Sequence, residues 1–563
     1  MGLRSAALVF SFATLVHAAP VLRLVGSALG PVPVTPGAAA ATQTVEAYNI
    51  GDGSLSLRAS ASVPWITAAI GSQRNCITTT NSPQCTSVQI ALNTGSLANG
   101  MFTGIVTVED PNAVDAPQTI TVTVRVGPID LYVAPGIPRD AYIATSSAVT
   151  TRFATDQGGN WLTVALDGTG SFRFSYPYRV HLAPDASLAP GTYNGSVTTS
   201  GSNTAANNVT VPVTMRVTNE PIAEASRERI SVRLAPGSGT QTSGLVVSNA
   251  GGGILAGLTA TTEGGAWLTA SVSSRTVLVT VDPGTLAPGT YTGSVGIQSN
   301  AVNGTLRVPV NLEIVAKGTP LISYKGVVDN GTFGTDDPGT PGDVMVVLGE
   351  QLSFAPLTVG KAPPLATEVG GASVLVNGRP APMYYSSYGQ LAFQLPVDTP
   401  VGRALVQVQR DGLTSNTVSV EVAPRAPKLL LIGGTSYGAI HNAADISIPM
   451  PEGAIPGVLT HPAKAGDTLI LYAIGLGPTS PSVPSGEAAP GQTLAELITR
   501  PTVSFGGSIA GIVVQPFFAG LSPGYAGLYQ INVTIPEDVP KGTINLIVAF
   551  PDSASNVVQI VVQ

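Results

Sequence analysis

Two kinds of segment recur along this chain at domain-sized intervals, and this repetition constrains the fold more than any other feature. Trp65, Trp161 and Trp267 each open a Trp-Ile-Thr or Trp-Leu-Thr phrase, 96 and 106 residues apart (161 − 65 and 267 − 161). Each phrase is followed by a Leu-x-x-Gly-x-aromatic-x-Gly turn and then by an alternating apolar strand. A repeat of about 100 residues has the size of a seven- or eight-stranded β-sandwich, so we predict three such domains.

The C-terminal part contains a second, different repeat. The phrase at residues 390–396 returns in degraded form at 530–536, and Ser415-Asn416 returns as Ser555-Asn556, both at an offset of 140 (530 − 390 and 556 − 416). Within the first copy, Asn377-Gly378 supplies the positive φ of a tight hairpin turn. Pro380 follows in the return strand, which we expect at a sheet edge because proline cannot donate to the ladder. Residues 390–396 alternate as a half-buried strand would. The region is predicted to be a duplicated β module.

Composition supports an all-β chain with several domains. The 563 residues include 64 Gly and 46 Pro, and only 10% are charged, against about 25% in an ordinary soluble protein. This is typical of many short strands joined by turns. The net charge of −7 is spread thinly, with no Lys/Arg run to follow phosphates, so nucleic-acid binding is not expected.

The domain divisions follow from the repeats. We predict a signal peptide at 1–19, repeats at 20–127, 128–218 and 219–316, and C-terminal copies at 317–424 and 425–563. Short linkers near residues 127, 218, 316 and 424 lead us to expect an elongated string of separate sandwiches.

The first 19 residues have a single Arg, an apolar run of about a dozen residues and small residues at Ala18 and Ala19, as secretory signals do. No later stretch reaches the roughly 18 apolar residues of a membrane span, so membrane insertion is not expected. The sequence predicts a secreted or extracellular protein, with the periplasm and the cell surface left open.

The two cysteines, Cys76 and Cys85, lie nine positions apart in a polar loop. In an oxidising compartment such a pair is expected to form a disulfide. A metal site would need further ligands, and the histidines do not cluster with cysteines or carboxylates. No metal and no cofactor are predicted.

The N-terminal repeats resemble the BACON family of bacterial immunoglobulin-like (Ig-like) domains. The third copy carries Asn249-Ala-Gly-Gly-Gly253 before its Trp-Leu-Thr phrase, and the first carries Asn49-Ile-Gly-Asp-Gly53. The first copy has Phe102 where the family has Tyr, and the second lacks a clear Asn-Gly segment. The resemblance implies Ig-like β-sandwiches, often found beside carbohydrate-active domains and suspected of glycan or mucin contact.

Residues 322–563 resemble the C-terminal domain of Solibacter-type secreted proteins. The matching phrases are Val-Asn-Gly-x-Pro-Ala-Pro at 376–382, Tyr-Ala-Ile-Gly-Leu-Gly-Pro at 472–478 and the aromatic segment at 518–533. That family has no known activity, so this resemblance implies none.

Enzymatic chemistry has little support in the sequence. We find no Gly-x-Ser-x-Gly elbow, no His-Glu-x-x-His and no phosphate-binding Gly-rich loop. His441 and His461 could be oriented by Asp445 or Asp467, but Asp467 precedes a strand where a carboxylate caps backbone amides. We predict a non-enzymatic protein.

A Gly/Pro-rich loop at residues 329–343 holds four aspartates, at positions 329, 336, 337 and 343. Their oxygens could hold a hard cation such as calcium or form a solvated acidic loop, and the spacing matches no defined calcium motif.

The aromatic residues offer the only candidate contacts. The three repeated tryptophans are more economically the plugs of three cores than sugar-stacking platforms. Aromatics also cluster beside turns in the C-terminal copies, and these are the candidate ligand contacts: Tyr384, Tyr385, Tyr388, Phe517, Phe518 and Tyr525.

We therefore expect a secreted, non-enzymatic adhesion or binding protein that contacts neutral polysaccharide or a cell-surface glycan. A passive spacer or matrix protein is one alternative, and an extracellular hydrolase with an unrecognised site is the other. The ligand's identity and the oligomeric state are not determined by the sequence.

Overall fold

A computed structural model describes residues 19–77, 79, 81–167, 175–455, 457–506 and 511–563. The predicted signal peptide lies outside the described residues except for Ala19. The described chain forms strands throughout, and its one short helix is a single 3₁₀ turn at Ala205–Asn207. The strands build five sandwiches of two sheets each, which confirms the predicted class of tandem Ig-like β-sandwiches. We call them modules 1 to 5, at residues 20–127, 128–218, 219–316, 317–424 and 425–563.

Module 1 pairs two four-stranded sheets, β1-β3-β6-β5 and β2-β8-β7-β4. Its strands are β1 (Leu22–Leu24), β2 (Ala28–Val34), β3 (Gln43–Asn49), β4 (Arg58–Ala61), β5 (Ile66–Asn75), β6 (Gln84–Leu92), β7 (Gly100–Glu109) and β8 (Gln118–Val126).

Module 2 pairs the sheets β10-β13-β12 and β11-β14-β15-β9. Its strands are β9 (Ile129–Val133), β10 (Arg139–Thr145), β11 (Thr150–Thr155), β12 (Leu162–Leu166), β13 (Tyr176–Leu182), β14 (Gly191–Ser200) and β15 (Thr210–Val217).

Module 3 repeats the strand order of module 1, with sheets β16-β18-β21-β20 and β17-β23-β22-β19. Its strands are β16 (Ala223–Ala225), β17 (Ile230–Leu234), β18 (Gln241–Asn249), β19 (Thr259–Glu263), β20 (Leu268–Ser273), β21 (Thr276–Val281), β22 (Gly289–Gln298) and β23 (Leu306–Ile314).

Module 4 pairs the sheets β24-β25-β30-β29-β26 and β28-β27-β31-β32, with β33 also on β31. Its strands are β24 (Leu321–Asp329), β25 (Val344–Glu350), β26 (Thr358–Val359), β27 (Ala372–Val376), β28 (Arg379–Pro380), β29 (Met383–Ser386), β30 (Gln390–Gln394), β31 (Gly402–Arg410), β32 (Leu413–Thr414) and β33 (Val418–Val422).

Module 5 pairs the sheets β34-β36-β42-β41-β38-β37, with β35 also on β36, and β40-β39-β43-β44. Its strands are β34 (Lys428–Leu429), β35 (Ile440–Asn442), β36 (Thr468–Ile474), β37 (Thr479–Ser480), β38 (Glu496–Leu497), β39 (Thr502–Phe505), β40 (Ile512–Val514), β41 (Phe518–Leu521), β42 (Tyr529–Thr534), β43 (Gly542–Ala549) and β44 (Val558–Val562).

The Asn-x-Gly phrase of modules 1 and 3 ties the first strand of each module to the sandwich. The Asn49 carboxamide accepts from the Val21 and Gly51 amides, and its nitrogen donates to the Gly53 carbonyl. Asn249 makes the same set of bonds in module 3. The motif satisfies backbone groups at the edge of the sheet that would otherwise lack partners.

The three tryptophans lie in the sandwich cores, where Trp65, Trp161 and Trp267 are 9%, 2% and 7% exposed. The Trp267 Nε1 donates to the Gly264 carbonyl at 2.7 Å, so its polar group is satisfied despite burial. The structure also contains the predicted disulfide between Cys76 and Cys85, at the end of β5 and the start of β6.

The duplicated module uses equivalent contacts in both copies. The Asn416 carboxamide brackets the backbone of Ile322, accepting from its amide and donating to its carbonyl, and Asn556 does the same to Leu429. This explains why the Ser-Asn phrase recurs at an offset of 140.

The predicted hairpin at Asn377-Gly378 is present, with φ of 49° and 77°, and β28 with Pro380 lies at the sheet edge as expected. One expectation in this segment is wrong: β30 is buried almost throughout rather than on one face. The reason is that β30 lies in the interior of its sheet, and Tyr384 and Tyr385 pack with Ala392 on the second face.

The modules are not separate beads, contrary to the expected elongated string. Asp115 of module 1 lies beside module 4, 304 residues further along the chain, where its carboxylate accepts from the Ser419 amide at 2.7 Å and the Ser419 hydroxyl at 2.8 Å. The Asp115 amide donates to the Thr417 carbonyl, and Asn416 donates to the Ala116 carbonyl. A spacing pattern does not reveal such contacts, which depend on how the modules fold back on each other.

In the part of the chain that the structure describes, no helix is long and apolar enough to span a membrane.

Candidate binding cleft between modules 1, 3 and 4

Modules 1, 3 and 4 meet one another pairwise. The Arg229 Nη1 of module 3 donates to the Thr103 carbonyl of module 1 at 2.9 Å. The Arg233 guanidinium of module 3 pairs with Glu350 of module 4 at 2.6 Å. Together with the contact between Asp115 and Ser419, these bonds close a ring of three modules.

A cleft of about 1590 Å³ lies inside this ring and is lined by all three modules. Hydroxyl and amide side chains are frequent in the lining, alongside apolar ones, and representatives from the walls are Thr121, Thr240, Gln241, Asn311, Ser323 and Gln390. Leu357, which is 69% exposed, supplies apolar surface. The cleft is therefore wide, with both polar and apolar walls.

The charged groups in the cleft largely neutralise each other. Arg233 lies 3.2 Å from Glu313 and 2.6 Å from Glu350, and all three residues line the cleft. Burial raises the pKa of Glu350, and the positive charge of Arg233 opposes that rise. A neutral ligand would meet no strong net field here.

Three donors of lining residues have no protein partner among the described residues. These are the Arg229 Nε, the Ser238 Oγ and the Tyr388 hydroxyl, all of which are buried atoms. Burial lowers the pKa of Arg229. Buried donors without partners are uncommon in native proteins.

The six aromatic residues predicted as ligand contacts do not form one surface. Phe517 and Tyr525 are 59% and 58% exposed, while Phe518 is only 8% exposed and belongs to a buried strand. Phe518 is therefore not available to a ligand, because every residue of β41 is buried, whereas Phe517 directly before the strand remains exposed.

The three tyrosines each make a different contact, and one of them reaches the cleft. The Tyr384 hydroxyl donates to the Ala526 carbonyl of module 5, which makes it a junction residue. The Tyr385 hydroxyl accepts from the Gln390 side chain at 2.5 Å within module 4. Tyr388 packs on the core of module 3 and lies 6.0 Å from the Phe354 ring, and burial raises its pKa. Tyr388 also lines the cleft, so it is the candidate that the structure brings to this site.

The acidic loop at 329–343 is satisfied mostly by protein groups. The Asp329 carboxylate accepts from the Gly331 and Thr332 amides, Asp336 pairs with Lys325, and Asp337 pairs with Lys428 of module 5 at 2.5 Å. Within the described residues, no group of three or more His, Cys, Asp or Glu side chains could hold a metal ion.

Asp343 is the exception in this loop. Its side chain is buried at the junction of modules 4 and 5, and its Oδ2 has no hydrogen-bond partner in the described chain. Burial, and then the negative charge of Asp329, raise the pKa of Asp343 well above its ordinary value. A methyl group added at Gly475 of module 5 would lie 3.2 Å from that oxygen, so the junction packs closely on it.

The pair of Asp445 and His461, which the sequence offered as a candidate catalytic pair, is held by protein groups. The His461 Nε2 lies 2.7 Å from Asp445, and its Nδ1 lies 2.9 Å from the Pro462 carbonyl. Both ring nitrogens thus face protein oxygens. Ser447 bonds hold the pKa of Asp445 at about 2, and the Pro462 carbonyl and Asp445 raise the pKa of His461. Asp467 instead accepts from the Lys464 amide and from Asn442, as expected of a turn cap.

Comparisons with known proteins give only weak structural likenesses. No family model matches the chain, and no curated protein does. Among solved structures, an endo-fucoidan hydrolase of glycoside hydrolase family 107 gives a TM-score of 0.15 at 12% identity, covering 54% of this chain, which spans 45% of the hydrolase. The human desmocollin-1 ectodomain gives 0.16 at 11% identity, with 72% and 79% covered. The protocadherin gamma B4 extracellular domain gives 0.15 at 13% identity, with 97% and 84% covered. At such TM-scores these likenesses carry no argument about function.

Proposed function

We propose that this chain is a secreted, non-enzymatic binding protein that holds a neutral polysaccharide in the cleft between modules 1, 3 and 4. The observation that carries the proposal is the cleft itself, of about 1590 Å³, whose lining combines hydroxyl and amide groups with apolar surface. Such groups exchange hydrogen bonds with sugar hydroxyls, and a cleft of this volume has room for several sugar units.

Charge supports a neutral ligand over an acidic one in the cleft. Arg233 is already paired with Glu313 and Glu350, so its charge is not available to a ligand carboxylate or phosphate. The exposed apolar side chains of Leu357 and Ile105 in the lining offer surface for the apolar faces of sugar rings.

Two further observations support the secreted and the non-enzymatic parts of the proposal. The signal-like residues 1–19 and the disulfide between Cys76 and Cys85 both suit an oxidising, extracytoplasmic compartment. The pairing of His461 on both ring nitrogens supports a non-enzymatic role, because neither is positioned to activate a nucleophile. The resemblances to BACON repeats and to the Solibacter-type domain are consistent with this function.

The test is retention of the full chain on insoluble neutral polysaccharides, compared with a variant that carries Gln241→Ala and Asn311→Ala. These changes remove two amides from the cleft wall and are expected to reduce retention. The matched control is Gln298→Ala, an exposed amide of module 3 outside the cleft. If no neutral polysaccharide retains the wild type, or if the double variant binds equally well, the passive spacer becomes the better description.

A further inference from the structure

The outer face of one sheet in module 2 carries a cluster of side chains that its two sister modules lack. In β10-β13-β12, Asp140 lies opposite His181, which lies opposite Thr163. On the same face, two residues along each strand, Tyr142 lies opposite Arg179. Three neighbouring strands at about 4.8 Å spacing make a patch about 10 Å wide, the scale of a small saccharide.

These side chains are available to solvent. Tyr142 is 38% exposed, and the Arg179, His181 and Asp140 side chains are 50%, 36% and 33% exposed. The Asp140 carboxylate lies 2.6 Å from the His181 Nδ1 and 3.9 Å from the Arg179 guanidinium. Its shorter contact is thus with histidine, and Arg179 is held only loosely.

The repeats provide an internal comparison for this face. The Trp-Leu-Thr phrase and the strand register align module 2 with module 3. There, the positions of Asp140, Tyr142, Arg179 and His181 are occupied by Thr242, Gly244, Leu278 and Thr280, respectively. The Thr242 and Thr280 hydroxyls make a 2.9 Å contact there. The same fold therefore forms without an ion pair or an aromatic ring on this face.

Module 1 also lacks the aromatic and charged side chains at these positions. Its register places Thr44 opposite Gln89, at the positions of Tyr142 and Arg179 in module 2. Because two copies fold with small or neutral residues here, the aromatic and charged set of module 2 is not a requirement of the sandwich. These exposed groups are therefore available to a ligand without cost to the core of the sandwich.

We propose that this face of module 2 binds a saccharide that carries a carboxylate. The Arg179 guanidinium offers a planar fork of donors matched to a carboxylate. The Tyr142 ring offers an apolar surface beside it for the sugar ring, and Asp140 and Thr163 offer polar groups to the sugar hydroxyls. The site is separate from the cleft, and its ligand is acidic where the cleft's ligand is neutral.

The test is calorimetric titration of the full chain with an oligogalacturonate and with a neutral oligogalactoside of equal length. The wild type is expected to bind the acidic saccharide more tightly by about tenfold, since a bidentate charged contact is lost with the neutral one. Equal affinity for the two saccharides, or no binding of the oligogalacturonate, overturns the proposal.

Variants taken from the sister modules separate binding from folding. Tyr142→Thr with Arg179→Gln introduces the module 1 residues at equivalent positions, so the sandwich should fold and melt as before while affinity falls by about tenfold or more. Arg179→Lys keeps the charge but removes the fork and should also weaken binding. The matched control is Arg216→Gln on the opposite sheet, where Asp130 already occupies the guanidinium with two 2.8 Å bonds. Unchanged affinity in the double variant, or an equal loss in the control, refutes the site.

Discussion

The contact between modules 1 and 4 predicts that one carboxylate holds the ring of modules closed. Asp115 is 2% exposed, pairs with Arg23 at 2.5 Å, and accepts two bonds from Ser419 at 2.7 and 2.8 Å. Asp115→Asn keeps the size of the side chain but replaces one acceptor by an NH₂ group facing donors. Hydrogen bonds to a charged group contribute about 1.5 to 3 kcal/mol each. The loss of one such bond plus one mismatched donor gives about 3 kcal/mol of docking free energy.

The assay is native-state hydrogen exchange at the residue 115 amide, which donates to the Thr417 carbonyl and is protected only while the modules are docked. A loss of about 3 kcal/mol corresponds to exchange faster by about a hundredfold. Ser419→Ala, which removes the hydroxyl bond alone, should cost about 1.5 kcal/mol. The losses of docking free energy from the two substitutions should sum to more than the loss in the double variant, because both substitutions affect the same hydrogen bond between Ser419 and Asp115.

A matched control comes from the same module. Asp110 is also 2% exposed, but its carboxylate accepts from the Ser56 and Asn112 amides inside module 1. Asp110→Asn should destabilise module 1 without speeding exchange at residue 115 before the module itself unfolds. If Asp115→Asn leaves that exchange unchanged, or if Asp110→Asn accelerates it equally, the carboxylate does not hold the ring.

Three further predictions concern stability. Trp267→Ala should cost module 3 about 3 to 5 kcal/mol in urea unfolding, since it empties a core site, and an unchanged transition would contradict this role. The folded-state pKa of Asp343 is raised above its unfolded value, so the contribution of this carboxyl to the free energy of unfolding is full at acid pH and is lost as pH rises. The free energy of unfolding of Asp343→Asn, relative to the wild type, should therefore increase with pH. A difference between the two proteins that does not depend on pH would contradict the raised pKa. Reducing the disulfide of Cys76 and Cys85, which are nine residues apart, should cost module 1 somewhat under about 3 kcal/mol, measured by unfolding with and without reductant.

Local sequence patterns predicted local structure well in this protein. Asn377-Gly378 and Pro380 each act on the backbone beside them, and the structure shows the tight turn and the edge strand they imply. The Cys76 and Cys85 pairing also followed from proximity along the chain. The aromatic contacts were less predictable, because exposure depends on neighbours. Tyr384 and Tyr388 lie in contacts with other modules that no local pattern specifies.

The sequence by itself determined the all-β class and the two kinds of repeat, because period, turn chemistry and repeat length act within one module. Tertiary structure alone decided how the modules meet. Asp115 and Ser419 are 304 residues apart and neither belongs to a recognisable motif, yet together they help to enclose the cleft. The face of module 2 lies between these cases: its residues are visible in the sequence, but only the strand register places Tyr142, Arg179 and Asp140 side by side. Register and docking are long-range properties of the folded chain, and the candidate sites of this protein depend on both.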